Sequence, residues 1–264
     1  MKSTITGLVA LLCCLPLPAG VAAAAEKVVL SAISQRAEYR VTLSGLPIAD
    51  AWFDAVFEGD RYTISSRFYS SGIAQLLVEM HADTLSSGHL RDGRATPKSY
   101  VQDFRRGKGV RRYDVNFTRG NVTDFTIVPP RRATPKNWVK VTPEHLKSVL
   151  DPLTAMLRPG NEAPCPARLP VFDGEMRFDL VFDLKGQVDF STKGFDGKAA
   201  VCSVRFEPKS GYRKGRQDVD YVRRLTGMEI WFARSAKLDA YAPVRLTVPT
   251  RYGELKVVAT RFGN

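Results

Sequence analysis

The chain has 264 residues, of which 44% are hydrophobic and 10% aromatic, enough for a packed core and too much for an intrinsically disordered protein. Its formal charge of +12 bears on partners and solubility rather than on fold. About 240 residues beyond the N-terminal segment suit one large β domain or two small ones.

Lys2 is a positive start, Leu8 to Leu17 an apolar stretch, and Ala22 to Ala25 place small residues before Glu26. This is the pattern of a secretory signal peptide, cleaved near Ala25. The apolar run is only about half of the roughly 20 residues a membrane-spanning helix needs, and Pro16 and Pro18 interrupt its end. Cys13 and Cys14 sit inside that run, too early for the acylated cysteine of a lipoprotein. No later segment approaches a spanning length, so residues 26–264 are expected to form a single β-rich envelope domain in the periplasm, not membrane-spanning.

Period-two alternation dominates the rest of the chain. Ala51, Phe53, Ala55 and Phe57 share one face, and Tyr62, Ile64, Ser66 and Phe68 repeat the pattern across Glu58-Gly59-Asp60, a hairpin signature. Turn formers at Asp92-Gly93, Asp173-Gly174, Asp196-Gly197 and Tyr252-Gly253 separate further runs. In Arg177 to Leu184, the residues Phe178, Leu180, Phe182 and Leu184 are expected to face the core. Arg177, Asp179, Val181 and Asp183 would face solvent. Other alternating runs lie at Ala199 to Phe206, Met228 to Phe232, Val244 to Val248 and Leu255 to Phe262. The fold class is therefore mainly β: a curled or barrel-like antiparallel sheet of about ten or more strands, which must curl to bury one apolar face and limit its edges.

One segment breaks the pattern. Thr142-Pro143-Glu144 reads as an N-cap with proline in the first turn, and Leu146, Val149, Leu150, Leu153 and Leu157 recur at helical spacing. The spacing predicts one amphipathic helix through Met156, weakest at Asp151-Pro152, packed in or over the concave face of the sheet. A short helical turn is expected near Ile73 to Leu77, and Pro129 to Lys136 reads as an exposed linker.

With the signal removed, Cys165 and Cys202 remain, and an even pair in an exported chain reads as a disulfide. There is no C-x-x-C pairing, and a metal reading would need another ligand nearby.

The second half carries a series of short motifs in a recognisable order. They run from Asp151-Pro152-Leu153 and Cys165 to Leu169 through Gly174 and on into Arg177-Phe178-Asp179-Leu180. Cys202, Gly211-Tyr212, Trp231-Phe232-Ala233, Pro243-Val244-Arg245 and Pro249-Thr250 come next. In that order they resemble the bacterial exported family catalogued as domain of unknown function 3108, over essentially the whole chain beyond the signal. The resemblance implies an exported, predominantly β envelope protein with a sheet wrapped around helical elements and no established reaction. Such curled sheets resemble the half-barrels of periplasmic lipoprotein carriers in outline, an analogy of fold alone.

No catalytic constellation stands out. His81, His89 and His145 are the only histidines, no Gly-x-Ser-x-Gly elbow is present, and no histidine spacing suits a metal. Asp179 with Asp183, or Asp218 with Asp220, could flank a glycosidic bond only if one of a pair lay in a pocket; on alternating strands they read as a solvated face. Arg105 through Arg112 reads as a basic hairpin rather than a phosphate loop. Export argues against nucleic acid as the partner of the basic segments. The leading expectation is a non-enzymatic protein without cofactor or metal that binds a lipid or an anionic envelope polymer. Phe53, Phe57, Phe178, Leu180 and Phe182 would line the concave face, and Arg105, Arg106, Arg111 and Arg112 would meet head groups. The second is a scaffold that holds other envelope proteins, and the third a hydrolase with an unrecognised site.

Overall fold

Long strands of alternating polarity joined by tight turns dictate a meander, and the computed structural model, which describes residues 32–72, 75, 79–131 and 133–263, has one. The segment read as a signal peptide lies outside the described residues, as does nearly all of the turn expected at 73–77. The first seven strands run β1 (Ile33–Leu43), β2 (Leu46–Glu58), β3 (Arg61–Ser70), β4 (Met80–Arg91), β5 (Arg94–Arg106), β6 (Gly109–Thr118) and β7 (Asn121–Val128). After β8 (Trp138–Val139) come a 3-10 turn at Pro143–Leu146, helix α1 (Pro152–Met156), β9 (Arg158–Pro159), β10 (Arg168–Phe172), β11 (Arg177–Thr192), β12 (Phe195–Ser210) and β13 (Tyr212–Arg213). Helix α2 (Gln217–Arg224), β14 (Met228–Ser235), β15 (Ala240–Thr250) and β16 (Gly253–Phe262) complete the chain.

Fourteen strands form one antiparallel sheet in the order β10-β11-β12-β14-β15-β16-β1-β2-β3-β4-β5-β6-β7, with β9 paired to β15. The last strand thus pairs with the first, Val41 opposite Val257, and joins the two halves of the meander. The sheet curls without closing: among the described residues, β10 and β7 share no ladder. The seam is bridged by side chains and by the strap that precedes α1. Phe125 of β7 meets Phe172 of β10 edge-on at 5.1 Å. Val149 N–H donates to Gly120 O, Leu150 N–H to Pro170 O, and Phe172 N–H to Leu150 O, each at 2.9 Å.

That strap corrects the expected long helix. Its backbone hydrogen bonds are committed to β10 and to the β6–β7 turn, Ser148 takes φ +50°, and only the five residues after Asp151 turn as an α-helix. The apolar stripe is still buried: Leu146, Val149, Leu153 and Leu157 pack into one cluster with Phe57, Tyr62, Tyr100 and Phe117. Two short helical turns joined by a non-helical strap serve that stripe as a helix would, because the strap crosses the core from one edge strand to the other.

Three further expectations are corrected. Asp218 and Asp220 lie in the first turn of α2, with Arg223 and Arg224 in its last, a charge order that complements the helix dipole rather than a strand face. The β11–β12 turn falls at Lys193-Gly194, so that Asp196-Gly197 lies inside β12. In β11 the supposed solvent face is not solvated at Asp179, which is 4% exposed and held by Arg168 and Arg177, whereas Leu184 on the supposed core face is 62% exposed beyond the end of β10. Cys165 and Cys202 form the expected disulfide, with Cα atoms 5.7 Å apart.

Strand direction and register give the curled sheet two distinct ends. The turns β2–β3, β4–β5, β6–β7 and β14–β15 lie at one, with α1 and the strap; β1–β2, β5–β6, β15–β16 and the segment from β12 to β14 lie at the other. The long β11–β12 hairpin folds its tip onto β16, where Phe262 N–H donates to Lys193 O at 2.9 Å and Phe195 meets Phe262 at 5.4 Å.

Candidate functional site

The register places Phe57, Ala55, Phe53 and Ala51 on the inner face of β2, opposite Tyr62, Ile64, Ser66 and Phe68 of β3. At the α1 end this face is sealed by a buried polar network. Asp151 caps α1, its Oδ1 accepting from Leu153 N–H at 2.9 Å and Thr154 N–H at 3.0 Å. Its Oδ2 accepts from Ser86 Oγ at 2.9 Å and Thr154 Oγ1 at 2.6 Å, and Tyr62 Oη lies 2.7 Å from Thr154 Oγ1. All four side chains are buried, and burial raises Asp151 above the ordinary carboxylate range. A carboxylate beside a serine invites a catalytic reading, but both of its oxygens are directed at structural donors and solvent does not reach it. The network pins α1 to β3 and β4.

Past α1 the interior is not filled. A cavity of about 210 Å³ lies between α1 and the inner faces of β1–β3 and β14–β16. Phe53, Ile64, Leu153, Met156, Ile230 and Leu246 contribute to its walls, which are apolar almost throughout. Its polar neighbours are largely spent on the protein: Tyr39 donates to Pro243 O at 2.6 Å, Ser235 donates to Gln35, and burial pushes the Tyr39 phenol well above its ordinary range. Phe53 meets Tyr39 edge-on at 5.3 Å. Arg245 also borders the cavity, with its guanidinium 4.6 Å from the Trp231 ring centroid.

From this cavity an apolar surface continues toward the other end of the sheet. The inner row Val248, Leu255, Leu43 and Leu46, each opposite the next, passes from half-buried to exposed, beside the buried Met228. Phe178, Leu180 and Phe206 on β11 and β12 are likewise half-buried, with the Phe178 and Phe206 rings tilted to one another at 5.0 Å. The interior is a cup, packed at the α1 end and open at the other.

Of the five expected concave-face residues, Phe53 alone borders the cavity. Phe57 is packed with Tyr62 at the closed end, Phe182 is buried against Phe232, and Phe178 and Leu180 lie on the open part of the inner face. The four arginines do not converge. Arg111 and Arg112 are adjacent in β6 and take opposite faces, Arg111 3.9 Å from Glu175 and Arg112 2.6 Å from Asp103. Arg105 and Arg106 stand exposed at the β5–β6 turn. The sequence reading misses Tyr39, Leu153, Met156, Ile230, Leu246 and Val257 as cavity residues. Alternation marks most of their strands as half-buried, but nothing in it tells a packed inward position from one facing a void.

A larger groove, of about 860 Å³, crosses the outer face of β1–β6. Its charges neutralise one another across strands: Arg36 with Asp54 at 2.7 Å, Arg67 with Asp83 at 3.7 Å, and Arg112 with Asp103. It is a solvated ladder of cross-strand ion pairs. His81 belongs to it, 2.8 Å from Asp83; His89 lies 3.5 Å from Asp60 at the closed end, and His145 lies in the 3-10 turn, so the three histidines are dispersed. Among the described residues, no group of three or more His, Cys, Asp or Glu side chains could hold a metal ion, and no helix is long and apolar enough to cross a membrane.

No curated protein matches the chain. The crystal structure of a β-barrel-like protein of domain of unknown function DUF1849 from Brucella abortus is similar at 13% identity, over 88% of this chain and 97% of that one, with a TM-score of 0.48. The family model described as protein of unknown function (DUF3108) matches residues 38–260, across both halves of the meander, and the chain belongs to that family.

Proposed function

We propose that this protein is a non-enzymatic, exported envelope protein that binds the aliphatic chain of an amphipathic ligand in the cup of its curled sheet. The observation that carries the reading is the apolar cavity beneath α1, continuous with half-buried apolar rows that lead to the open end. Unfilled space forfeits dispersion contacts, and unburied apolar rows forfeit about 25 cal/mol per Å², so a ligand chain would recover both. At about 210 Å³ the cavity is smaller than the roughly 300–1,000 Å³ of common small-molecule sites. It suits the end of one chain, with the remainder lying along the rows toward the mouth.

The test is native mass spectrometry of the exported protein purified gently, with lipid extraction, followed by titration with a dansylated undecanoic acid. The reading expects co-purifying lipid or saturable uptake of the probe, reduced by Ala55→Leu, which fills the cavity wall, while the circular dichroism spectrum is unchanged. A clean apo mass with no uptake on incubation would overturn it and favour a scaffolding role.

A further inference from the structure

Exposed cations stand at both ends of the sheet, and the ends differ in what surrounds them. At the closed end Arg91 is paired with Asp60 at 2.5 Å, Arg234 with Asp239 at 2.5 Å and Lys147 with Glu144 at 2.7 Å, while Arg94, Arg119 and Lys237 are exposed without an ion-pair partner among the described residues. At the open end, Arg105, Arg106 and Lys108 on the β5–β6 turn, Arg223 and Arg224 at the end of α2, and Arg251 on the β15–β16 turn are all exposed, and none has an ion-pair partner among the described residues. Arg251 instead lies 5.3 Å from the Tyr221 ring centroid, which holds the end of α2 beside the β15–β16 turn.

Large apolar side chains stand among these cations at the turns of the same end. Leu46 is 61% exposed at β1–β2, Val110 52% at β5–β6, Val128 55% at the end of β7, and Tyr252 71% at β15–β16. These four residues, at turns or strand ends around one rim, are each more than half exposed. Unpaired cations alone would suit any polyanion, and apolar tips alone would suit a protein partner. The combination, with tyrosine among the tips, matches an interface that is anionic at its surface and apolar a few ångströms below.

We infer that the open end is a docking surface for an anionic lipid bilayer, set so that the mouth of the cup faces the membrane. The inference rests on the reading of the interior as a site for an aliphatic chain, since a mouth-down orientation lets such a chain pass between bilayer and cup without crossing water.

Vesicle flotation tests it, using phosphatidylcholine vesicles with and without about 30% phosphatidylglycerol, in about 0.1 M and 0.5 M salt. The parent is expected to float with the anionic vesicles at low salt and much less at high salt. Replacing Arg105, Arg106 and Lys108 with glutamine should weaken binding at least about tenfold, and Val110→Ser with Tyr252→Ser about threefold or more. A control with Arg94, Arg119 and Lys237, exposed at the closed end, replaced by glutamine should stay within about twofold of the parent. No parent binding, an equal loss in the control, or full binding by both open-end variants would overturn the inference. Uptake of the dansylated acid is a separate readout, so either property can fail alone.

Discussion

Removing the Asp151 carboxylate should destabilise the closed end more than any other single polar truncation in the cup. Asp151→Ala leaves Leu153 N–H and Thr154 N–H without the acceptor they use at 2.9 and 3.0 Å, in a site without solvent. The Ser86 and Thr154 hydroxyls can rotate toward each other, since their oxygens already lie 3.1 Å apart, so their loss is small. Loss of an N-cap costs about 1 kcal/mol, and each buried donor left unpaired about 1–3 kcal/mol. Against this, the variant no longer has a carboxylate that burial holds above its ordinary range. The net expectation is a loss of about 2–4 kcal/mol in urea unfolding at neutral pH, with an unchanged m-value. Asp151→Asn keeps the Oδ1 acceptor and should lose less, about 1 kcal/mol. The two should also differ with pH. A carboxyl whose folded pKa lies above its unfolded value binds more protons when folded, so its contribution to stability falls as pH rises through the window between the two. The asparagine variant lacks that slope and should gain on the parent as pH rises above the unfolded carboxyl value. An alanine variant within about 1 kcal/mol of the parent, or an asparagine variant with unaltered pH dependence, would refute the reasoning.

Gly211 has φ +82°, and a Cβ there would meet Glu175 O at 1.8 Å, so Gly211→Ala should cost more than about 3 kcal/mol or prevent folding. Gly107 has φ +54° with nothing near its Cβ position, so Gly107→Ala should cost only about 1 kcal/mol in the same urea experiment. Comparable losses at the two positions would show that backbone strain rather than the close approach governs Gly211. Reducing the Cys165–Cys202 disulfide, which links positions 37 residues apart, should lower stability by roughly 4 kcal/mol in the chain-entropy limit, measured as the shift in urea midpoint with and without reductant.

Where one face of a strand is buried and the other wet, the sequence is legible, and alternation locates the hairpin of β2 and β3 with its turn at Gly59-Asp60 in place. Legibility fails where backbone hydrogen bonds are committed elsewhere. Leu146, Val149, Leu150, Leu153 and Leu157 have helical spacing, yet the chain between the two short helical turns is not helical. Leu150 pairs with Val171 of β10, and Pro152 supplies no N–H to continue a ladder or a longer helix. Periodicity reports which side chains seek the core, and a strap that crosses the core satisfies the same set of contacts. Asp179 is misread for a related reason. In sequence its charge marks a solvent face, but Arg168 from β10 and Arg177 from its own strand cover it, an arrangement that depends on which strand β11 pairs with.

The candidate site is the least legible part, because a void is a property of what is missing between residues that all look alike. Phe57 and Phe53 share a face and lie four positions apart, yet one is packed and the other borders a cavity. The difference comes from α1. Asp151 ties it to Ser86 of β4 and Thr154 ties it to Tyr62 of β3 at the closed end, so Leu153 and Leu157 fill the space over Phe57 and Tyr62. After Met156 the chain leaves α1 for β9, which pairs with Ala240 and Tyr241 of β15, so it does not continue toward Val248 and Leu255. The expected helix ends at the same Met156, so periodicity, even where it locates the stripe, says nothing of the room left beyond it.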